Sequence, residues 1–511
     1  MTEILEYRGH IRNWRALCAE LGISPELTRE EREPEILRKA YEAWGTEMGN
    51  HLHGMFAFAL RDEARGEIFC LRDPFGTKPF YYAVTEDGRF LYGTMIRQIL
   101  EAPGFERVLN EKMLQIYLTL TYTAGEETFF KGIRKLLPGH YLIRREDGSI
   151  TIGRYFAPQF RPDEGPSLED WADEIHTTLA QIMTEVKEDG ETAESFLSGG
   201  VDSSYVFAMS DAQMSDSCGY EDPRFDESPL AAETARLLGR QNSRCLITPE
   251  RFFETVPYVM RGMEQPLGDA SAIVFAIGCM ETAKHTKLCY SGEGADEFFG
   301  GYNMYRNAER YGDNLPTFYV GNTNIMKEDE KADLLLRYDP SFRPIDLVQD
   351  IYKENEGLDP LARMSDIDIR IWLEGDIYLN VDKMSTAAGL EVRMPLTDRR
   401  IFDIASRMPS RFKVNAEQNK VAFRTAAAKV LPQEVAFRKK LGFIVPIRHW
   451  LADETYGADM RRRFKSETAA KFFKPEALDR ILQEYLGGNS DLWRKVWTIY
   501  TFLVWYDEYF N

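Results

Sequence analysis

Apolar residues in the first 160 positions occur in short runs of strand length that are separated by polar turns. Runs of this kind are typical of β-strands, and a short polar link between two of them indicates a hairpin. We predict two hairpins, with strands at 54–60 and 67–71 and at 80–84 and 90–92. Helical segments at 33–44 and 111–118 interrupt this otherwise β-rich region.

A polar, proline-bearing stretch at 158–167 is typical of a linker and predicts domains at 1–160 and 161–511. Beyond it, short apolar strands alternate with helices, which predicts a parallel sheet with helices on both faces. From about residue 331 onward the pattern is mainly helical. The predicted strands lie at 195–197, 217–220, 245–247 and 287–290, and the predicted helices at 168–187, 201–209, 228–238, 249–262 and 272–283.

The charge balance narrows the function classes. The net charge is -19, from 82 acidic and 63 basic residues, which argues against binding nucleic acid or an anionic membrane because both need a basic face. Six dispersed cysteines and an acidic N-terminus without an apolar signal run predict a cytoplasmic protein. Charges interrupt the aromatic segment 492–506, so it predicts a packing helix and not a membrane span.

The segment 195–209 reads as a buried strand, a Gly-Gly turn and the start of a helix. Backbone N–H groups and the helix dipole converge at such a turn and favour an anion. Asp202 would repel a phosphate there unless a cation lies between them, so we predict a polyphosphate bridged by Mg²⁺. The alternative is an ordinary strand–turn–helix connection with a serine N-cap.

A second small-residue loop, at 291–297, also follows a predicted strand. Loops at the carboxyl ends of parallel strands meet at one edge of the sheet. Asp202 and Asp296 could therefore share the Mg²⁺, and Glu293 could act near an amine; the alternative is a solvated acidic turn. Positive charge would come from 382–385 or 438–443, unless those basic residues only face water at helix ends.

Taken together, the motifs resemble those of the glutamine-dependent asparagine synthetases, a class II amidotransferase domain fused to an ATP pyrophosphatase domain. The resemblance implies an Ntn-type glutaminase-like β-sandwich remnant, then a doubly wound parallel-sheet domain with a helical C-terminal part. Fold class is thus α+β followed by α/β. The matching segments are 54–59, 72–79, 137–140, 198–204, 291–297, 382–385, 391–395 and 438–442.

The resemblance also implies chemistry. Enzymes of this family activate the aspartate side chain with ATP and Mg²⁺, release pyrophosphate, and let ammonia displace AMP from β-aspartyl-AMP. Glu293 and Lys440 would be catalytic, and Asp202 and Asp296 would bind Mg²⁺. ATP or pyrophosphate would contact Phe196, Ser198, Gly199, Gly200, Asp202, Ser203, Ser204, Cys218, Ser291 and Gly292.

The departures from the family pattern lie in the N-terminal half. Met1 and Thr2 stand where the family exposes a cysteine nucleophile, so we expect the first part of the glutaminase domain to be missing. The family's glutamine-binding positions are also changed. Arg8, Gly9 and His10 replace an Asn-Gly-Glu segment, Glu33 replaces an aspartate that grips the glutamine amino group, and Met95 replaces a glutamate.

We therefore expect an impaired glutaminase and a synthetase that uses ammonia, either free or from a partner glutaminase. Two other functions remain open at this point. One is a related adenylating ligase, similar to β-lactam synthetases or peptide cyclases, and the other is an inactive regulatory homologue. The pattern leaves a homodimer open as well.

Overall fold

The computed structural model describes residues 2–187, 190–439 and 445–511. Its N-terminal half contains two antiparallel sheets, ordered β1-β2-β3-β7-β8 and β5-β4-β6. Both predicted hairpins are confirmed, as β2–β3 and β4–β5. The strands are β1 Thr2–Ile11, β2 Gly54–Asp62, β3 Glu67–Arg72, β4 Tyr81–Val84, β5 Phe90–Gly93, β6 Ile133–Lys135, β7 His140–Arg145 and β8 Ile150–Arg154.

Strand β2 is apolar from Met55 to Leu60 because both of its faces are covered there. Ala57 and Ala59 face the second sheet, where they pack with Phe80 and Tyr82. Phe58 and its neighbours on the other face pack against two helices that precede β2. The helices of this half are α1 Trp14–Leu21, α2 Arg29–Trp44, α3 Ile96–Leu100 and α4 Met113–Leu120, with a 3-10 segment at Gly45–Asn50.

Within the described residues, the second half contains a five-stranded parallel sheet in the order β11-β10-β9-β12-β13. Chain order reverses at β9, between β10 and β12, which is where ligands of such sheets bind. This confirms the predicted fold class. The strands are β9 Glu194–Phe196, β10 Met214–Gly219, β11 Gln241–Leu246, β12 Leu288–Tyr290 and β13 Glu391–Arg393.

Six helices surround the strands of this sheet in the described part of the chain. Thr248 caps one of them as predicted, since its side chain accepts from Arg251 N. They are α5 Leu168–Glu185, α6 Val201–Met209, α7 Ser228–Leu237, α8 Pro249–Met263, α9 Ser271–Thr282 and α10 Ala295–Phe299.

The C-terminal region is mainly helical, as predicted. A π-helical segment at Asp368–Ile377 joins two of its α-helices, and 3-10 segments lie at Asn303–Asn307, Gly312–Asn314, Pro344–Val348 and Ser490–Leu492. The helices are α11 Ala308–Tyr311, α12 Leu315–Phe318, α13 Glu328–Leu334, α14 Gln349–Glu354, α15 Pro360–Ile367, α16 Tyr378–Ala387, α17 Arg399–Arg407, α18 Ser410–Lys413, α19 Val421–Ala427, α20 Gln433–Ala436, α21 Ile447–Trp450, α22 Ala458–Phe464, α23 Glu467–Ala470, α24 Pro475–Leu486 and α25 Trp493–Phe510.

Helix α25 connects the two halves. It packs in one core with α4, and Tyr117 Oη lies 2.7 Å from Thr501 Oγ1. Its aromatic residues are therefore core residues, as the sequence predicted. Within residues 2–187, 190–439 and 445–511, no helix combines the length and the apolar character that a membrane span requires. We retain the division into 1–160 and 161–511 as a proposal; regular secondary structure is absent from 156–167.

Candidate functional site

The first loop joins β9 to α6 at the carboxyl edge of the parallel sheet. Gly199 has a φ of +82°, and a Cβ there would lie 2.9 Å from Leu230 Cβ, so the turn requires glycine. Ser198 N donates to Ser203 Oγ at 3.2 Å, and Gly200 N donates to Ser198 Oγ at 3.3 Å. Among the described residues no side chain caps α6. Its first-turn N–H groups remain available to an anion.

The two carboxylates that the sequence paired lie together, and the ammonium group of Lys420 joins them. Lys420 Nζ lies 2.6 Å from Asp202 Oδ2 and 2.6 Å from Asp296 Oδ1. The lysine side chain is 2% exposed and each carboxylate 17%. A Cβ on Gly301 would lie 1.7 Å from Asp296 Oδ1, so the glycine makes room for this group. The cluster is a compact, nearly buried charge centre.

The second loop lies directly against the first. A Cβ on Gly292 would lie 2.8 Å from Asp202 C and from Ser203 N, so the two backbones touch there. Ser291 is buried, and its hydroxyl donates to Glu293 Oε1 at 3.1 Å. Glu293 is half-buried beside the charge centre. This is the arrangement expected of two loops that share one ligand.

Phe196 and Cys218 end the neighbouring strands β9 and β10 and face α9. The Phe196 ring packs edge-on against Phe275 with centroids 5.3 Å apart, and Cys218 Sγ lies 3.8 Å from Val274 O. Ser204 differs from the other loop serines, because it is completely buried and its hydroxyl packs inside the protein.

The predicted basic residues lie in different places. Lys440 lies outside the described residues. Arg438, two positions earlier, donates from Nη1 to Gly199 O at 3.1 Å, which brings its segment to the first loop. Lys383 does not serve this site: it is buried 2.5 Å from Glu264 Oε2, at the contact between the two halves.

Glu297 adds a carboxyl group without adding charge at neutral pH. It is 2% exposed and accepts a hydrogen bond from Tyr302 Oη. Burial and the neighbouring Asp296 raise the pKa of Glu297 to about 8. It is therefore protonated at pH 7 and adds a neutral hydrogen-bonding group beside Asp296.

At the predicted glutamine site, Glu33 lies at the centre of a hydrogen-bond network and is 2% exposed. Its Oε2 accepts from Tyr7 Oη at 2.8 Å and from Arg29 Nε at 3.2 Å. Its Oε1 accepts from Ile11 N at 2.8 Å and lies 3.2 Å from His10 Nδ1. An ionised carboxylate offers about four acceptor positions; three of them take hydrogen bonds from Tyr7, Arg29 and Ile11, and the His10 ring packs against the carboxylate.

The charge states fit this network. Burial lowers the pKa of His10 to about 4, so the ring is neutral at pH 7. Burial opposes ionisation of Glu33, but His10 and Arg29 outweigh it and hold the pKa of Glu33 below its usual value. A neutral His10 thus lies beside an ionised Glu33, with Arg29 as the counter-ion.

Gly9 keeps its place in β1 for a packing reason. A Cβ there would lie 2.1 Å from Met55 O on the neighbouring strand. Its carbonyl oxygen accepts from Arg29 Nη2 at 2.7 Å. The backbone at this position is therefore engaged by Arg29, the same residue that pairs with Glu33.

Arg8 reaches from β1 into the second half of the chain. Its Nη2 lies 2.9 Å from Asp382 Oδ2 in α16 and donates to Thr386 Oγ1, and its Nη1 lies 3.0 Å from Met95 Sδ. Lys78 Nζ donates to the same Asp382, at 2.9 Å. Other ion pairs between the halves are Arg29–Glu391 at 2.7 Å, Arg12–Asp398 at 2.8 Å, Arg72–Glu374 at 3.0 Å and Lys135–Glu374 at 2.9 Å.

Comparisons with known proteins agree with this two-part architecture. Residues 174–507 match the asparagine synthase family model, and residues 1–156 match the glutamine amidotransferase domain model. The chain is 31% identical over 541 residues to Asparagine synthetase (glutamine-hydrolyzing) 1 of Bacillus subtilis (strain 168), covering 98% of this chain and 84% of that protein. The chain belongs to the asparagine synthetase family.

Other relatives show the breadth of this family. A putative asparagine synthetase (glutamine-hydrolyzing) of Mycobacterium tuberculosis (strain ATCC 25618 / H37Rv) is 31% identical over 547 residues, covering 98% of this chain and 84% of that protein. Amidase chry2 of Gibberella zeae is 30% identical over 303 residues, covering 53% of this chain and 43% of that protein. Enzymes of the asparagine synthetase family are ATP-dependent ligases, and both halves of this chain belong to recognised parts of that architecture.

Sequence reasoning missed Lys420 at the charge centre. The only signal was a lysine at the start of an apolar helical segment, with Arg424 four positions later. Such a pattern is common at exposed helix starts, so it did not stand out. The residue also has a φ of +58°, a left-handed conformation that is strained for a lysine and that the sequence does not announce.

Proposed function

We propose that this chain makes asparagine from aspartate, ATP and ammonia through β-aspartyl-AMP, and that its glutaminase half does not supply the nitrogen. The observation that carries the synthetase part is the convergence of Asp202, Asp296 and Lys420 beside an uncapped helix start. In this cluster the Lys420 ammonium group could bind phosphate oxygens, and the carboxylates of Asp202 and Asp296 could bind a metal ion. We also retain the predicted cytoplasmic location as part of the proposal.

The residues at the charge centre fit Mg²⁺. Asp202 Oδ1 is buried and has no hydrogen-bond partner among the described residues. Carboxylate oxygens are the ligands Mg²⁺ prefers, and the ion commonly joins one or two of them to substrate phosphates. We propose that Asp202 and Asp296 hold the ion, which when bound would neutralise charge on the departing pyrophosphate.

Activation needs the β-carboxylate of aspartate to attack the α-phosphorus of ATP. A P–O bond forms there and the bond to the β,γ-pyrophosphate breaks. We assign the pyrophosphate to the N–H groups of the first loop and α6, with Ser198, Ser203 and Lys420 as further donors. Phe196 and Cys218 would border the adenine, and Gly292 would allow close approach of the nucleotide.

In the second step ammonia attacks the acyl carbon and AMP leaves with its electron pair. The nitrogen must lose a proton as the amide forms. We assign Glu293 as the base that accepts this proton, because it is half-buried beside the loop and the Ser291 hydroxyl donates a hydrogen bond to one of its oxygens. For Lys440 we retain the role that the family resemblance implies: its ammonium group would stabilise negative charge that develops on the α-phosphate.

The proposal for the glutaminase half rests on Glu33. A glutamine α-ammonium group needs an accessible carboxylate acceptor, whereas Glu33 is 2% exposed, already accepts three hydrogen bonds and lies 3.2 Å from His10 Nδ1. Arg8 turns toward Asp382 instead of toward a substrate in the N-terminal half. We infer that ammonia comes from solution or from a partner glutaminase.

The synthetase part is tested by pyrophosphate release from ATP with aspartate and a panel of other carboxylates, together with identification of the product. We expect aspartate-dependent release, asparagine as the product with ammonium present, and a large loss in Asp202→Asn. Asp211→Asn is the matched control, since Asp211 lies just beyond α6 and pairs with Lys187 at the surface. Equal activity of the two variants, or preference for another carboxylate, would refute the assignment.

The glutaminase part is tested separately by glutamate release from glutamine. We expect none above the spontaneous rate, with or without ATP and aspartate. A steady glutamate release that tracks the purified enzyme would contradict this part of the proposal and leave the synthetase part intact.

A further inference from the structure

A second cluster of charged side chains lies at the amino-terminal edge of the parallel sheet, on the side opposite the two loops. Glu194 begins β9, Asp216 lies in β10, and His285 precedes β12. One ligand atom from each lies within 4.8 Å of the others. Parallel pairing brings Glu194 and Asp216 onto the same face, because Asp216 pairs with Phe196, two positions after Glu194.

The cluster is short of positive charge. His285 Nδ1 lies 2.9 Å from Glu194 Oε1, but its Nε2 is 3.9 Å from Asp216 Oδ1. Asp216 is 8% exposed, and its Oδ2 has no hydrogen-bond partner among the described residues. Glu194 Oε2 is also buried and has no hydrogen-bond partner in the part of the chain that the structure describes. A buried carboxylate oxygen without a partner is costly unless a cation or a proton satisfies it.

We propose that Glu194, Asp216 and His285 form a binding site for a divalent transition-metal ion of the zinc type. The inference is independent of the proposed reaction. It rests on one observation. Two buried carboxylate oxygens without hydrogen-bond partners among the described residues lie close to one imidazole, and the three side chains come from separate parts of the chain.

The donor set selects the class of ion. Two carboxylates and one imidazole match the mixed oxygen and nitrogen ligands of Zn²⁺ and its neighbours, whereas Mg²⁺ prefers oxygen alone. Ligand atoms around a tetrahedral zinc lie about 3.5 Å apart. The ligand atoms here lie within 4.8 Å of one another. The His285 side chain is 43% exposed and gives the ion a path from solvent.

The position of the site suggests a structural role. Strands β9, β10 and β12 lead at their carboxyl ends to the first loop, to Cys218 and to the second loop. An ion at their amino ends would tie the three strands together without contacting any substrate.

The test is a Co²⁺ titration of metal-stripped protein without nucleotide, followed by visible absorption and by thermal melting. We expect one ion per chain, d–d bands without a thiolate charge-transfer band, and a rise in Tm. His285→Ala should weaken binding about tenfold or more and abolish the rise in Tm. His51→Ala is the matched control, because His51 is an exposed histidine stacked on Trp44.

Asp216→Asn provides a second variant, and its melting curve without metal shows whether it folds. We expect it to lose Co²⁺ binding as His285→Ala does. Three results would overturn the proposal: no binding to the parent protein, unchanged binding in His285→Ala, or a thiolate charge-transfer band in the Co²⁺ spectrum. In the first case Glu194 and Asp216 share a proton and not a metal.

Discussion

Replacing Lys420 with Met removes the cation between Asp202 and Asp296 and leaves the two carboxylates facing each other. Both oxygens lie 2.6 Å from Lys420 Nζ, so they are within roughly 5 Å of one another. Two like charges at that separation repel by about 3 kcal/mol at an effective dielectric constant of about 20. Loss of one partner of a buried ion pair typically costs about 3–5 kcal/mol.

We therefore expect Lys420→Met to lower the free energy of unfolding by about 3 kcal/mol in the absence of divalent ions, the lower end of that range because the carboxylates are partly exposed. Mg²⁺ should restore most of it, since a ligand at 100 times its dissociation constant stabilises by about 2.7 kcal/mol. In the parent protein Lys420 competes with the ion, so Mg²⁺ alone should stabilise much less. ATP-dependent pyrophosphate release should fall in the variant despite the tighter metal site.

The assay is urea unfolding with and without MgCl₂, for the parent and for two variants. Lys413→Met is the matched control, because Lys413 is also 2% exposed but lies over the Phe160 ring, 5.1 Å from its centroid. We expect the same small Mg²⁺ dependence in that control as in the parent, because its charge centre is intact. Equal stabilisation of all three proteins by Mg²⁺, or a loss under about 1 kcal/mol in Lys420→Met, would refute the charge-centre reasoning.

Three further predictions concern neighbouring features. Burial raises the pKa of Glu297 to about 8. The protonated side chain therefore stabilises the fold fully below the pKa of Glu297 in the unfolded chain, and this stabilisation is lost as pH rises through 8. Glu297→Gln should remove that part of the pH dependence of Tm, measured by melting between pH 6 and 9. In Gly301→Ala the new Cβ would meet Asp296 Oδ1 at 1.7 Å, so pyrophosphate release should fall about tenfold or more, and unchanged release would contradict the close packing. Arg8→Met should lower the free energy of unfolding by about 1.5–3 kcal/mol, as expected for a hydrogen bond to a charged group, because Asp382 keeps only Lys78; calorimetry measures this, and no loss would mean that the ion pair is unimportant.

Much of the fold could be predicted because local pattern and tertiary structure agree. The hairpin at β2–β3, the strand–loop–helix at β9–α6 and the capped start of α8 all follow from short-range signals. Strands β1 and β13 were not predicted as strands. Residues 2–11 include polar side chains that reach α2 and α16, Tyr7 and Arg8, and β13 has only three residues. Tertiary contacts and not local preference therefore make these strands.

The candidate site was only partly predictable for the same reason. The meeting of Asp202 and Asp296 follows from topology, since both loops end strands of one parallel sheet. Lys420 comes from a helix more than a hundred residues later, and nothing local links it to either loop. The hydrogen bonds to Glu33 likewise depend on Tyr7 and Ile11, which come from β1, whereas only Arg29 lies in the helix of Glu33 itself, four positions earlier. Replaced motif residues indicate a changed site but do not specify these partners.

The most direct test of the account supplies the enzyme with ATP, aspartate, Mg²⁺ and one of two labelled nitrogen sources. One reaction contains ¹⁵N-ammonium with unlabelled glutamine, and the other contains amide-¹⁵N glutamine with unlabelled ammonium. Mass spectrometry of the asparagine product then reports which nitrogen was used. We predict label in asparagine from ammonium and none from glutamine. Asparagine that carries the glutamine amide nitrogen would contradict the claim that the glutaminase half is closed to its substrate.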